Sequence, residues 1–584
     1  MRQFFKYVLA TVTGLFAFGL LCLVVLVMFV AALASSDKEV TVASNSVLEL
    51  KLDKPIAERE SRNSFGAMVS NQADDIGLDQ LKATIRRAKT DGDIKGIFLN
   101  VELVQGGMAS LEEVRDALLD FKKSGKFIVA YADAASEKSY YLTSVANRIY
   151  LNPQGTLEFN GLSSETMYYK NLFAKAGIEP QIFRVGSFKS AVEPFFRESM
   201  SDSARLQTTS FLNSINDFTI GHVAEARKIA PARLKVISDS MLVHNADDAK
   251  RLGLVTHLGY YDQALDYMKG KLGVEKDDKL SLVELSDYSK TDEESSASGN
   301  RIAVIYADGD IVTGKGSDSN IGSTKFAEAI RKARLDDKVK AVVLRVNSPG
   351  GSSLASDIIY REVMLTKKVK PIVCSMSDVA ASGGYFIAMG CDTIVAHPNT
   401  ITGSIGVFGV LPNIEPLLRD KLGITTDRVT TGKFSDFPTI TRALTPFEKA
   451  QFQNEINRIY ADFTTKAAQG RHMPVEKLRG YASGRVWSGS EAKARGLVDV
   501  LGSFDDALRI AARRAKLKEG DYSIQKLPRQ RTFAESIFSG FSTEVKMRLV
   551  KEEMGPMYPM YEQYKKLSEM KGAQMRMPFE LNIQ

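Results

Sequence analysis

The stretch SDVAASGGYF, residues 377–386, sets Ser382 ahead of Gly383 and Gly384, between the apolar runs PIVCSM and FIAM. A serine so placed is either a nucleophile at a strand-to-helix turn or a small residue that a tight turn selects. A serine hydroxyl attacks only when a base takes its proton, and the usual base is histidine. The histidines, His222, His244, His257, His397 and His472, form no recognisable triad pattern. His397 is nearest in sequence, but it closes the strand-like TIVAH and precedes a proline. Lysine is the other candidate base, provided that an apolar pocket or a nearby cation lowers its pKa from about 10.4 until the amine is neutral. In VGSFKSAVEPFF, residues 185–196, Lys189 stands among Phe188, Ala191, Val192, Phe195 and Phe196. The same lysine suits an exposed helix start, and Glu193, four residues on, would keep the amine charged if the two paired.

The elements that could position these residues occur twice. KFIVAYADAASEKSYYLTSVANRIYLNP, 126–153, lies over KPIVCSMSDVAASGGYFIAMGCDTIVAHP, 370–398, with Tyr140 on Tyr385 and Pro153 on Pro398, both displaced by 245. Upstream, GIFLNVELVQGG lies over AVVLRVNSPGG; downstream, IFRVGSFKSA lies over TDRVTTGKFSDF with Gly186 on Gly432. Each copy alternates β-branched runs with helical patterns such as SLEEVRDALLDFKKS and ASDIIYREVMLTKK. That alternation predicts an α/β fold of βαβ units with mainly parallel, buried strands. The expected organisation is a first domain over 46–285, a polar, serine-rich linker over 286–300 and a second domain over 301–528. A basic, methionine-rich tail follows over 529–584, either flexible or a helix that packs on a partner subunit or the membrane.

At 584 residues the chain exceeds one core, and its 44% hydrophobic and 25% charged residues are those of a globular protein. A net charge of +7, with both signs mixed along the chain, speaks against nucleic acid as a partner. No CxxC or HExxH spacing occurs, so neither a metal nor another cofactor is expected. Of the three cysteines, Cys374 and Cys391 sit on apolar stretches and read as buried free thiols. After Arg2 and Lys6, residues 7–36 carry no charge, and at about 1.5 Å per residue they outreach a hydrocarbon core of about 30 Å. Residues 1–36 therefore read as an uncleaved signal-anchor transmembrane helix with its N-terminus in the cytoplasm, although Ala32-Leu33-Ala34 resembles a cleavage box.

The two copies constrain each other. Opposite Ser382 the first copy has Glu137, and opposite Lys189, with a one-residue shift, the second has Ser435. An ancestral domain that held both nucleophile and base, then duplicated and divided them, leaves this pattern. RVNSPGGS, SDVAASGGYF, NTITGSIGVFG and VGSFKSAVEPF together resemble the signal peptide peptidase A, or protease IV, family in its long two-domain form. The resemblance covers most of residues 46–515 together with the N-terminal anchor. It implies two tandem Clp-protease/crotonase-like domains, Ser382 as nucleophile, Lys189 as general base and Ser404 of TGSIG orienting the lysine. Gly351 and Gly383 would then supply backbone N–H donors to the oxyanion. It further implies a membrane-anchored serine peptidase that digests cleaved signal peptides and other short apolar peptides outside the cytoplasm. Such an enzyme would sit in the cell inner membrane with periplasmic catalytic domains, as a homotetramer whose sites form where N- and C-terminal domains meet. Two rival classes are a crotonase-like acyl-CoA enzyme, for which Ser382 is dispensable, and a catalytically silent oligomeric scaffold that binds peptides.

Overall fold

The runs SVLEL, IKGIFLN and FIVAYADAA become neighbouring strands in a computed structural model that describes residues 2–34, 42–60, 75–290, 299–529 and 572–577. Their sheet has six strands, ordered His257–Leu258, Arg148–Leu157, Phe127–Ala135, Ile94–Asn100, Ser46–Leu50 and Leu282–Glu284. Every ladder in it is parallel. Parallel strands need cover on both faces, which is why these runs are apolar without alternation. Helices Leu78–Thr90 and Met108–Lys122 bury Leu81, Ile85, Val114 and Leu118 against one face. Helix Tyr261–Leu272 places Ala264 and Met268 on the other.

The second copy repeats the plan around Arg301–Asp308, Val339–Ser348 and Ile372–Ala381, again in parallel. Helices Ser323–Leu335 and Ser353–Lys367 are the first copy's Leu78–Thr90 and Met108–Lys122 moved by 245 (323 − 78 and 353 − 108), with unchanged lengths. The repeat seen in the residues is thus a repeat of elements. Only at its rim does this sheet turn antiparallel, where Val486–Ser488 pairs with Ile401–Gly403.

A third sheet joins the copies. Its order is Asn320–Gly322, Asp310–Val312, Gly350–Ser352, Gln574–Arg576, Val407–Asn413 and Glu179–Val185. Glu179–Val185, from the first copy, pairs antiparallel with Val407–Asn413 from the second, from Val185↔Val407 to Glu179↔Asn413. The apolar core of the first copy runs on into Ala381, Ile401 and Val486 of the second. A buried ion cluster adds to the contact: Arg345 Nε and Nη1 donate to Glu58 at 2.8 Å and to Glu113 at 2.9 Å. Because every one of these three side chains is buried, loss of one partner would cost about 3–5 kcal/mol.

Three expectations change. The stretch 286–300 is not linker from its start, since Leu285–Lys290 is helical and Tyr288 is buried, its hydroxyl donating to Asp91 at 2.6 Å. Residues 291–298 lie outside the described residues. The block laid over residues 426–437 keeps its sequence likeness but not its structure: Glu179–Val185 is a strand, whereas its counterpart forms none and Val429 is 100% exposed. The first copy's strand has an edge to pair with; the second copy's segment has none among the described residues. Of the tail over 529–584, residues 530–571 and 578–584 lie outside the described residues, and Gln574–Arg576 is a strand of the bridging sheet rather than a helix.

At the other end, Arg2–Ala34 is one helix of 33 residues. Its side chains Leu9, Leu15, Phe16, Phe18, Leu20 and Leu21 are exposed. Among the described residues no helix is long and apolar enough to cross a membrane. The side chains of Leu23 and of residues 25–34, on which the anchor expectation partly falls, lie outside that set.

Candidate active site

Strand Ile372–Ala381 delivers Ser382 to the start of helix Gly383–Ala388 with the serine backbone at φ 54° and ψ −110°. A non-glycine residue held there costs about 1–3 kcal/mol, and the surrounding structure must enforce it. It does so through the Ser382 N–H, which donates to Gly403 O at 2.9 Å, and through complete burial of the residue. The elbow turns the side chain out of the sheet. Its neighbours admit nothing larger than glycine: a Cβ on Gly384 would meet Ser348 O at 2.6 Å, and one on Gly350 would meet Gly383 N at 2.7 Å. Strand Gly350–Ser352 and the helix start are therefore in backbone contact.

The lysine arrives along the bridging sheet. Four residues beyond Val185, the last of the antiparallel ladder, Lys189 passes into the second copy. Its Nζ lies 2.8 Å from Ser382 Oγ, 2.9 Å from Ser404 Oγ and 3.1 Å from Ser404 O. The side chain is 0% exposed, and burial alone pushes its pKa well below the usual lysine range. Glu193 does not oppose that shift. Its carboxylate accepts from Ser201 N at 3.0 Å and Ser201 Oγ at 2.6 Å, and lies 3.7 Å from Arg184.

A neutral amine has two N–H donors and one lone pair, which fits this environment. The Ser404 carbonyl can only accept, so it takes one N–H. With the second N–H on Ser404 Oγ, the lone pair faces the Ser382 hydroxyl, which then donates to it. The structure thus brings Ser382, Lys189 and Ser404 together; Gly383 follows the serine directly, and Gly350, the chain neighbour of Gly351, packs against Gly383 N. His397 is elsewhere, its Nε2 3.1 Å from Glu113 in the buried ion cluster. In the first copy, Glu137 fills the equivalent place by accepting from Asn160 N at 3.0 Å and Gly161 N at 2.9 Å.

Two further residues hold the lysine, and neither has a local signature. Gln207, fully buried on helix Asp202–Arg227, donates to Phe188 O at 3.1 Å and Ser190 Oγ at 2.9 Å and accepts from Val486 N at 3.1 Å. It ties the lysine turn to the second copy's sheet. Gly484, at φ +79°, packs so closely that a Cβ there would lie 2.7 Å from Lys189 N and Lys189 Cβ. In sequence they look like any helix glutamine and any turn glycine; only their partners mark them.

A family model described as Peptidase family S49 matches residues 120–275 and 364–518, one match in each copy. The chain belongs to peptidase family S49. It is a serine peptidase, a hydrolase acting on peptides. Protease 4 of Salmonella typhi is 38% identical over 502 residues, covering 83% of this chain and 80% of its own. Serine protease SPPA, chloroplastic, of Arabidopsis thaliana is 34% identical over 514 residues, 86% of this chain and 74% of its own. Protease 4 of Haemophilus influenzae is 36% identical over 460 residues, 76% of this chain and 74% of its own. Among solved structures, a ClpP1 mutant from Listeria monocytogenes aligns 36% of this chain with 94% of its own at 16% identity and a TM-score of 0.24. That score is too low to carry weight, and the α/β class rests on the parallel sheets themselves.

Proposed function

We propose that this S49 peptidase is a Ser/Lys-dyad endopeptidase that digests cleaved signal peptides and other short apolar peptides on the outer side of the membrane that anchors it. The observation that carries the reading is the fully buried Lys189 amine 2.8 Å from Ser382 Oγ with no carboxylate among its hydrogen-bond partners. Lys189 takes the Ser382 proton as Oγ attacks the peptide carbonyl, and the oxyanion collects on the backbone N–H groups of Gly351 and Gly383. Two such preorganised donors are worth several kcal/mol in the barrier. Lysinium then protonates the leaving amine, and the acyl-enzyme is hydrolysed by water with the same lysine as base. Ser404 keeps the amine aimed, through its hydroxyl and its carbonyl alike. The two copies serve as Clp-protease/crotonase-like domains, each carrying one half of the dyad.

Two features support the wider setting. The N-terminal helix exposes apolar side chains around its circumference, which water does not favour and lipid does, and Arg2 and Lys6 precede them. Within the chain, residues 179–185 pair with 407–413; moved by the repeat of 245, the same partners are 424–430 and 162–168, which form no strands. Pairing of these two segments between chains would reuse the internal joint and build a closed homo-oligomer, a tetramer in our reading.

The test is hydrolysis of an apolar, signal-like peptide by the full chain in detergent micelles, compared with Ser382→Ala and Lys189→Met. Both variants should be inactive while keeping the parent's circular dichroism. Parent-level turnover by either would refute the dyad.

A further inference from the structure

The strand that delivers Ser382 is not regular. Its ladder with Val339–Ser348 matches Val346↔Met376 and then Ser348↔Ala380, so Asn347 alone faces the three residues Ser377, Asp378 and Val379. Such a bulge bends a strand, takes N–H groups out of the ladder and turns side chains in new directions. Here it ends three residues before the nucleophile (382 − 379). The extra length belongs to the copy that carries Ser382: from Lys370 to Ser382 is 12 residues (382 − 370), whereas from Lys126 to Glu137 in the other copy is 11 (137 − 126).

Each residue of the bulge is fastened. Ser377 Oγ accepts from Arg345 Nη2 at 2.9 Å, and Ser377 O accepts from Thr400 Oγ1 at 2.7 Å. Asp378 reaches the first copy, where its carboxylate accepts from Ser110 N at 2.9 Å and Ser110 Oγ at 2.5 Å. Val379, nearest the elbow, is held by Asn347, whose Oδ1 accepts from Val379 N at 3.2 Å. The amide is itself oriented. Its Nδ2 donates to Asp308 Oδ1 at 3.1 Å, and Asp308 is its neighbour across the parallel ladder. A carboxylate only accepts, so it takes the NH2 end of the amide and leaves the oxygen for Val379. Asn347 O accepts from Gly309 N at 2.9 Å, which fixes the same strand end through the main chain.

Next in the chain, Ser348 holds the other side of the site. Its Oγ donates to Gly309 O at 2.7 Å and accepts from Gly350 N at 3.2 Å, beside Gly351. Asn347 and Ser348 thus tie the nucleophile's strand and the glycine turn to one strand end. The copy without a nucleophile has neither group: at the displacement of 245, their counterparts are Glu102 and Leu103, both exposed. A demand of the fold alone would fall on both copies, and this one falls only where a serine must be aimed.

We infer that Asn347 is a positioning residue for the peptidase reaction: its side-chain amide, oriented by Asp308, holds the bulge at the place from which the elbow presents Ser382 to the substrate carbonyl. The inference rests on the dyad reading. Without the amide, Val379 N loses this partner and the bulge is free to slide toward the shorter run of the first copy. Ser382 Oγ then leaves the position that keeps it 2.8 Å from Lys189 Nζ. Substrate binding does not pass through this bond, so the rate suffers and binding does not.

Steady-state hydrolysis of an apolar, signal-like peptide by the full chain in micelles tests this, with urea unfolding alongside. Asn347→Leu should lower kcat about 100-fold, the worth of a displacement of about 1 Å, with KM unchanged. Asn347→Asp joined to Asp308→Asn exchanges donor and acceptor across the pair, leaves one carboxyl in it and keeps an acceptor for Val379 N. This double variant should recover about 10-fold or more of the loss, the worth of a hydrogen bond restored. Glu102→Ala, at the matching place in the first copy, should keep the parent's kcat. An Asn347→Leu chain that is less stable yet turns over at the parent's rate makes the residue merely structural, which overturns the inference and leaves the dyad standing. A double variant no faster than Asn347→Leu, or a rise in KM that accounts for the whole loss, overturns it too. If Asn347→Leu does not fold, the double variant decides: folded with kcat near the parent's it supports the inference, folded and inactive it overturns it. A parent without turnover overturns the dyad and this inference together.

Discussion

Gly484→Ala should disable the enzyme without touching any reacting atom. The new Cβ would lie 2.7 Å from Lys189 N and Lys189 Cβ and 2.8 Å from Lys189 Cα, about 0.8 Å short of a comfortable carbon contact of about 3.5 Å. These atoms are backbone or next to it and cannot swing aside as a side-chain end would. The lysine turn is also pinned from behind, by Phe188 N–H donating to Ser483 O at 3.0 Å and by Gln207. The turn must therefore move as a unit. A shift of about 0.8 Å carried to Nζ takes its 2.8 Å contact with Ser382 Oγ past the hydrogen-bond range of about 3.2 Å. Misplacement on this scale costs about 100-fold in kcat, or about 2.7 kcal/mol in the barrier. Forcing alanine to φ +79° adds about 1–2 kcal/mol of lost stability. Gly480→Ala is the matched control, because a Cβ there meets nothing within 4 Å and the site lies in helix Val475–Tyr481. It should keep kcat and gain about 0.5–1 kcal/mol. The assay is steady-state peptide hydrolysis below the melting temperature of both variants, with urea unfolding alongside. A folded Gly484→Ala chain with the parent's kcat would show that the lysine turn is not the part that must be held still.

Other expectations follow from the same geometry. Lys189→Met should abolish turnover yet stabilise the fold at neutral pH. Burial lowers the folded amine's pKa, so between that value and the ordinary lysine value the unfolded chain binds a proton that the folded chain lacks, and parent stability rises with pH across that window. In Lys189→Met this rise should vanish in pH-dependent urea unfolding, and an unchanged slope would mean that the amine is charged in the folded state. For the same reason kcat/KM of the parent should climb with pH through a value well below 10.5. Ser404→Ala removes one of the lysine's two Ser404 contacts and leaves the carbonyl at 3.1 Å, so kcat should fall about 5–12-fold, the worth of a hydrogen bond of about 1–1.5 kcal/mol, with KM unchanged. Gln207→Leu leaves Phe188 O and Val486 N without their side-chain partner and should cost about 2–3 kcal/mol in urea unfolding, with a fall in kcat that Gln207→Asn does not repair.

The proposed nucleophile and base, Ser382 and Lys189, were legible because chemistry restricts their surroundings. An elbow serine needs glycines around it, and a neutral lysine needs apolar neighbours; comparison of two diverged copies then showed which residues a bare turn could do without. Parallel strands were legible for a similar reason, since burial on both faces leaves an apolar run that no exposed strand would carry. What joins the halves was not. The pairing of Glu179–Val185 with Val407–Asn413 spans more than two hundred residues, and the sequence of an edge does not name its partner. The polar stretch after Leu285 hid a helix because one buried tyrosine, Tyr288, outweighs its serine-rich neighbours. Glu193 beside Lys189 argued against a neutral amine until its bonds to Ser201 were visible. The tail strand offers only three residues, Gln574–Arg576, too few for any periodicity.

The strand that carries Lys189 across to the second copy makes the hydrolase a coincidence detector for its own completion. Neither copy holds a working pair, and the first 381 residues contain no nucleophile from this site. A chain still emerging, half folded or clipped between its copies therefore presents the serine without the lysine, or the lysine in water, where its amine is charged, never both within reach. On the dyad we propose, only a molecule that has finished both sheets and zipped the seam between them can attack a peptide bond. Division of the proposed dyad between two folding units would thus work as a safety interlock, which one domain holding both residues would lack.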